Sequence, residues 1–137
     1  MKTALKFALS GFLFFLLLSI QPASAQRLYF SESVSEKGDP IGLNQFFYIP
    51  KEGLTNIAIL IKLPYSVEAT QIELRFFSLD SVNNETYLST VSFDVEKPWT
   101  WFWKSVEFKQ PARYKVYVYA DKERFLCSET VDTYIKE

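Results

Sequence analysis

From residue 55 onward apolar and polar side chains alternate with the two-residue period of half-buried strands. In NIAILIKLP, Ile57, Ile59, Ile61 and Leu63 share one face. QIELRFFSL sets Ile72, Leu74 and Phe76 inward against Glu73 and Arg75 outward. YLSTVSFDV repeats the pattern with Tyr87, Val91, Phe93 and Val95 inward. RYKVYVYA puts Tyr114, Val116, Val118 and Ala120 on one side, with Lys115, Tyr117 and Tyr119 on the other. A weaker strand is predicted over Phe125 to Ile135, and two earlier ones near Leu28 to Val34 and Gln45 to Ile49. No sustained apolar stripe at helical spacing competes with these strands.

The segments between are turn chemistry: EKGDP (Glu36 to Pro40), PKEG (Pro50 to Gly53), DSVNNE (Asp80 to Glu85) and ADKE (Ala120 to Glu123). Gly, Pro, Asn and Asp recur there because they tolerate or pre-set turn dihedrals. About seven short strands with turns at such intervals predict an all-β, antiparallel sandwich. A small closed barrel is the competing arrangement.

The N-terminus departs from this pattern. Lys2 and Lys6 precede an apolar run from Phe7 to Ile20, and Ala23-Ser24-Ala25 is a small-x-small cleavage signal. Ser10 and Gly11 interrupt the run, which is shorter than the roughly 20 apolar residues that span a bilayer. The expectation is a secretory signal peptide over residues 1–25, cut before Gln26, and one domain over 26–137 with no membrane span. An uncleaved anchor is the alternative. Export to the periplasm, the cell surface or the medium follows.

Without Lys2 and Lys6 the 15 basic residues become 13 against 16 acidic ones, a net charge of about −3. No basic run marks a nucleic-acid partner. Histidine is absent, which removes Ser-His-Asp and Cys-His nucleophile activation and every His-bearing zinc pattern. The single cysteine, Cys127, has no internal disulfide partner. A domain of this size without a staple depends on its core, and the 18% aromatic content supplies bulk for one.

QPARYKVYVYADKERFLCSETV resembles the last two strands of an immunoglobulin-like sandwich of the kind common in exported bacterial proteins. The resemblance rests on a P-x-x-Y-x-V-x-V run, matched by Pro111, Tyr114, Val116 and Val118. It implies an immunoglobulin-like β-sandwich in which Tyr114 closes a tyrosine corner by hydrogen-bonding backbone a few residues upstream. It implies neither an activity nor a ligand.

Two aromatic groups are candidate binding surfaces. All three tryptophans lie in KPWTWFWK, and on an extended backbone Trp99, Trp101 and Trp103 share a face opposite Thr100 and Phe102. Such a row resembles a sugar-stacking platform. The alternative, favoured here, is that the segment crosses between sheets and its indoles plug the end of the core. Tyr117 and Tyr119, with Tyr29 or Tyr134 nearby, form the second candidate, a face for a protein partner; cross-strand cover is its plain alternative.

The remaining features are weaker. Asp80, Asn83, Asn84 and Glu85 offer oxygen ligands for calcium, but lack the alternation of an EF-hand loop and suit a turn equally well. The pairs Asp94/Glu96 and Asp121/Glu123 lack the cleft that a glycosidase carboxylate pair needs. Asn84-Glu85-Thr86 fits an N-glycosylation acceptor, relevant only in a eukaryotic secretory route. Cys127 is expected to be buried and quiet, with Phe125, Val131 and Ile135 on its side. That register turns Glu129 inward, so a bulge or a fraying strand must relieve it. The expectation is a non-enzymatic binding module without cofactor or metal. Its partner is a protein, met at a sheet edge or on the tyrosine face, and the alternative is a carbohydrate-binding module.

Overall fold

The computed structural model describes residues 26–137; the expected signal peptide lies outside the described residues. Ten strands follow in order: β1 (Arg27–Ser31), β2 (Ser33–Val34), β3 (Pro40–Ile41), β4 (Phe46–Pro50), β5 (Thr55–Lys62), β6 (Gln71–Leu79), β7 (Glu85–Asp94), β8 (Trp101–Phe108), β9 (Arg113–Ala120) and β10 (Arg124–Lys136). They form a three-stranded sheet, β1-β5-β8, a five-stranded sheet, β4-β10-β9-β6-β7, and a two-stranded ribbon, β2-β3.

The core lies between the two larger sheets. Ile57, Ile59 and Ile61 of β5 meet Ile72 and Leu74 of β6 and Val116 and Val118 of β9, all fully buried. Phe108 of β8 joins the layers edge-on, its ring centroid 5.9 Å from Phe76 and 5.0 Å from Tyr114. The alternation along β5, β6 and β9 therefore sets their inward faces as expected.

The pairing is not wholly antiparallel, because β4 runs parallel to β10. After β1 the chain leaves the three-stranded sheet through the β2–β3 ribbon and joins the five-stranded sheet as β4. Strands brought together by such a crossing are free to run in the same direction.

Two β-bulges overturn expected inward positions. Between Phe76 and Phe77 the pairing with β7 skips Leu88, so Tyr87 lies opposite Phe77 and points outward. In β10 the register slips between Phe125 and Cys127. Phe125 therefore shares the outer face with Tyr119, while Leu126 and Cys127 turn into the core.

The turns adopt left-handed backbone where the sequence placed turn formers. Gly38, Asn83, Asp121 and Lys122 all have positive φ. Asp121 stabilises its own turn from the side, accepting from the Thr70 and Gln71 N–H groups at 3.1 and 3.2 Å.

Candidate functional site

The tryptophan segment is a strand rather than a crossing. Trp101–Phe108 pairs with β5 in an antiparallel register, Trp101 opposite Lys62 and Trp103 opposite Leu60. The crossing from the five-stranded sheet occurs just before it, where the Glu68 N–H bonds the Lys97 carbonyl and the Val67 N–H bonds the Trp99 carbonyl. The expectation that indoles plug the core is corrected: Phe102 does so, at 3% exposure, and none of the indoles is buried. On a strand, placing Phe102 inward forces Trp101 and Trp103 outward.

The three indoles do not form one row. Trp99 and Trp103 are 40% and 41% exposed, and Trp99 sits in a turn closed by its N–H to the Glu96 carbonyl. Trp101 is half-buried beneath the loop after β2. A Cβ on Gly38 would lie only 2.6 Å from its indole, so the glycine backbone lies against that ring. The Lys62–Asp39 ion pair, at 3.6 Å, holds the same loop over the sheet. Ala58 and Leu60, which face outward, are consequently buried. Part of this aromatic surface thus forms a small second core, and one face of Trp101 is closed to stacking.

Tyr117 and Tyr119 lie on the other sheet, so the five predicted aromatic residues do not converge on one site. Both are half-buried on the outer face of the five-stranded sheet. There they join Phe77, outward by the alternation of β6, and Tyr87 and Phe125, whose positions the bulges set. Phe77 meets Tyr87 at 5.6 Å and Tyr117 at 5.3 Å, and Phe125 meets Tyr119 at 5.6 Å, mostly edge to face. Tyr87 and Phe125 are 57% and 51% exposed. Tyr134 belongs to a separate exposed group with Phe46 and Tyr48, and Tyr29 lies on the three-stranded sheet.

Cations tie this face together. The Arg75 guanidinium lies 3.8 Å from the Tyr119 ring centroid, bonds Glu73 at 3.0 Å and donates to the Lys122 carbonyl at 2.7 Å. Lys115 lies 5.0 Å over Tyr117 and 3.4 Å from Glu85. The Tyr117 hydroxyl donates to the Glu85 carboxylate, which lowers the Glu85 pKa and raises that of Tyr117. The Lys115 ammonium is pushed up, first by its contact with Tyr117. These side chains hold one another in place, leaving a pre-ordered surface of rings and paired charges.

The other candidates have structural employment. Tyr114 is 7% exposed, and its hydroxyl donates to the Gln110 carbonyl at 2.5 Å, four residues upstream. That is the expected corner. Asp80 accepts from the Val82 and Asn84 N–H groups at 2.9 and 2.8 Å, so its carboxylate closes its own turn. Cys127 is buried, and desolvation, with a smaller push from Glu129, raises its thiol to about 12. Glu129 keeps the inward phase opposite Val116 yet is exposed. β4 pairs with β10 only from Asp132 onward, so that stretch of β10 borders an open cleft beside β1.

No protein-family model matches the sequence, and no curated protein does. Solved structures do. An immunoglobulin-like protein from Pseudomonas aeruginosa superposes with a TM-score of 0.50 at 12% identity, covering 82% of this chain and 99% of that one. The chain is an immunoglobulin-like β-sandwich. A superoxide reductase (neelaredoxin) from Ignicoccus hospitalis superposes with a TM-score of 0.38 at 12% identity, over 66% of this chain and 76% of that one.

Proposed function

We propose that this immunoglobulin-like domain is an exported, non-enzymatic binding module whose partner is a protein engaged by the outer face of the five-stranded sheet. The observation that carries this reading is the cluster of Phe77, Tyr87, Tyr117, Tyr119 and Phe125, in ring contact and braced by Arg75 and Lys115. Tyrosine, phenylalanine and arginine are enriched at the centres of protein interfaces, and rings already held in place lose little entropy on binding. Export is supported by the N-terminal pattern of charge, apolar run and small-residue cleavage signal. The non-enzymatic reading draws support from the absence of histidine and from the use of Glu73, Glu85 and Asp132 in ion pairs.

A photo-crosslinking residue in place of Phe125, introduced in the native host, tests this reading. A discrete protein adduct that is lost when Tyr119 is also changed to Glu supports it. A full yield of uncrosslinked protein at Phe125 and at Tyr87 overturns it. Sugar binding by Trp99, Trp101 and Trp103 ranks second, because the covered face of Trp101 breaks the platform.

A further inference from the structure

β8 is the outermost strand of the three-stranded sheet at its β8 side. One bond fixes its hydrogen-bonding phase: the Leu63 N–H donates to the Thr100 carbonyl at 2.8 Å. These residues are directly opposed, one step beyond the Lys62–Trp101 pair. Opposed residues in an antiparallel ladder alternate between bonding each other and bonding away. Phe102, Lys104, Val106 and Phe108 therefore bond β5. The backbone groups of Trp101, Trp103, Ser105 and Glu107 point to the open edge. A groove of about 670 Å³ runs along the first half of that edge. Trp99, Trp101 and Trp103 line it, as do Phe93, Phe102 and Lys104.

Such an edge invites pairing, and an inward-pointing lysine is one of the devices that guards it. Lys104 occupies that position, opposite the fully buried Ile59, and is exposed. Among the described residues no carboxylate lies within ion-pair distance of its ammonium. An added strand would cover Lys104 and strip water from its charge, which is tolerable only if a countercharge arrives with it.

We propose that β8 accepts an extended segment of a partner protein as an added antiparallel strand, and that Lys104 selects segments presenting a carboxylate opposite it. Residues opposed to Phe102 and Val106 would add to the core margin; those opposed to Trp101 and Trp103 would lie over the indoles. The same charge disfavours a second copy of this chain. The central self-pairing registers that keep the bonding phase set Lys104 against Lys104, Phe102 or Val106, and none supplies a carboxylate. Rejection of wrong strands and choice of the right one thus come from one side chain. This edge lies on the opposite sheet from the tyrosine face and does not depend on that reading.

The test uses the capped peptides TVTETVT and TVTKTVT, read by tryptophan emission, since all three tryptophans lie at the groove. TVTETVT is expected to shift the emission saturably, with TVTKTVT weaker by about tenfold or more. Lys104→Glu should reverse that preference. Ser105→Pro should abolish both signals, because it deletes an N–H aimed at the open edge and none bonded to β5. If Ser105→Pro does not fold, the reversal by Lys104→Glu, at an exposed position, decides the matter. Equal affinity for the two peptides overturns the proposal, as does no shift up to about 1 mM peptide. Saturation by chito- or cello-oligosaccharides instead would assign the groove to sugars and also overturn it. A concentration-dependent dimer lost in Ser105→Pro would assign the edge to a second copy and overturn it as well.

Discussion

Tyr114 and Thr133 share one acceptor. The Tyr114 hydroxyl donates to the Gln110 carbonyl at 2.5 Å, and Thr133 Oγ1 lies 3.1 Å from the same oxygen. Thr133 Oγ1 also accepts from the Ala112 N–H at 3.0 Å. The corner at the start of β9 is thus held from its own strand and from β10. Its hydroxyls are buried but fully partnered: no buried side-chain polar atom among the described residues lacks a hydrogen bond.

The two residues should not be equivalent. Tyr114→Phe leaves Gln110 the Thr133 hydroxyl, so its cost should be about 0.5–1.5 kcal/mol, the net worth of one hydrogen bond. Thr133→Val also strands the Ala112 N–H, and an orphaned buried donor costs about 1–3 kcal/mol. Denaturant unfolding of both variants and the double variant checks this. Thr133→Val is expected to be the worse single change, with a nonzero coupling energy. Equal losses that add would show the corner hydroxyls to be independent.

The corner was legible through the family resemblance that Pro111, Tyr114, Val116 and Val118 carry; a tyrosine before alternating valines suits an ordinary strand as well. The core faces of β5, β6 and β9 were legible because Ile57, Ile59 and Ile61, Ile72, Leu74 and Phe76, and Tyr114, Val116 and Val118 each recur at two-residue spacing. This held even though Ala58 and Leu60 make the outer phase of β5 apolar too. The binding face was only half visible. Tyr117 and Tyr119 lie in an unbroken strand, but Phe125 and Tyr87 reach the face through one-residue slips after Phe125 and Phe76. A bulge shifts the phase of everything on one side of it, and periodicity read through it assigns the wrong face. The tryptophans failed differently. Reading their segment as a crossing between sheets suggested core filler, whereas it is a strand in which the single Phe102 fills the core and alternation carries Trp101 and Trp103 outward.

Gly38 should be intolerant of any side chain, for two separable reasons. Its φ of 84° suits glycine, and an added Cβ would meet the Trp101 indole at 2.6–2.9 Å. Gly38→Ala is expected to cost about 1 kcal/mol for the backbone and more for the displaced ring. Adding Trp101→Ala should recover the steric part alone. Iodide quenching follows the ring: in Gly38→Ala the most protected fraction of the emission should become accessible. Unchanged quenching together with unchanged stability would show that the loop does not rest on Trp101.

Arg75 is expected to resist conservative replacement. Its guanidinium serves Glu73, the Lys122 carbonyl and the Tyr119 ring at once, and a lysine ammonium cannot reproduce that planar fork. Partial exposure screens the ion pair, so the loss in Arg75→Lys should be about 1 kcal/mol by denaturant midpoint. Most of it should persist in 0.5 M salt, because carbonyl bonding and ring stacking are screened less than the ion pair. A loss that vanishes in salt would make the Glu73 pair the only contact that counts.

Cys127 gives the fold an alkaline limit. Burial raises the thiol from its ordinary 9.0 to about 12, so the folded protein holds the proton more tightly than the unfolded chain does. The stabilisation is fully present below about pH 9. It is lost as pH rises toward 12, at no more than about 1.4 kcal/mol per pH unit for one proton. Tyr114 is also pushed up from its ordinary value by its own burial, so its contribution is likewise lost as pH rises. The difference between the wild type and Cys127→Val isolates the thiol, since valine fits a site beside Val118 and does not ionise. The unfolding midpoint of Cys127→Val should fall less steeply with pH between 9 and 11, with Tyr114→Phe in both backgrounds as the control. Slow labelling by a thiol reagent at pH 8, faster only under denaturing conditions, is the companion expectation. Parallel pH profiles, or rapid labelling of the native protein, would place the sulfur at the surface and reverse the register assigned to the start of β10.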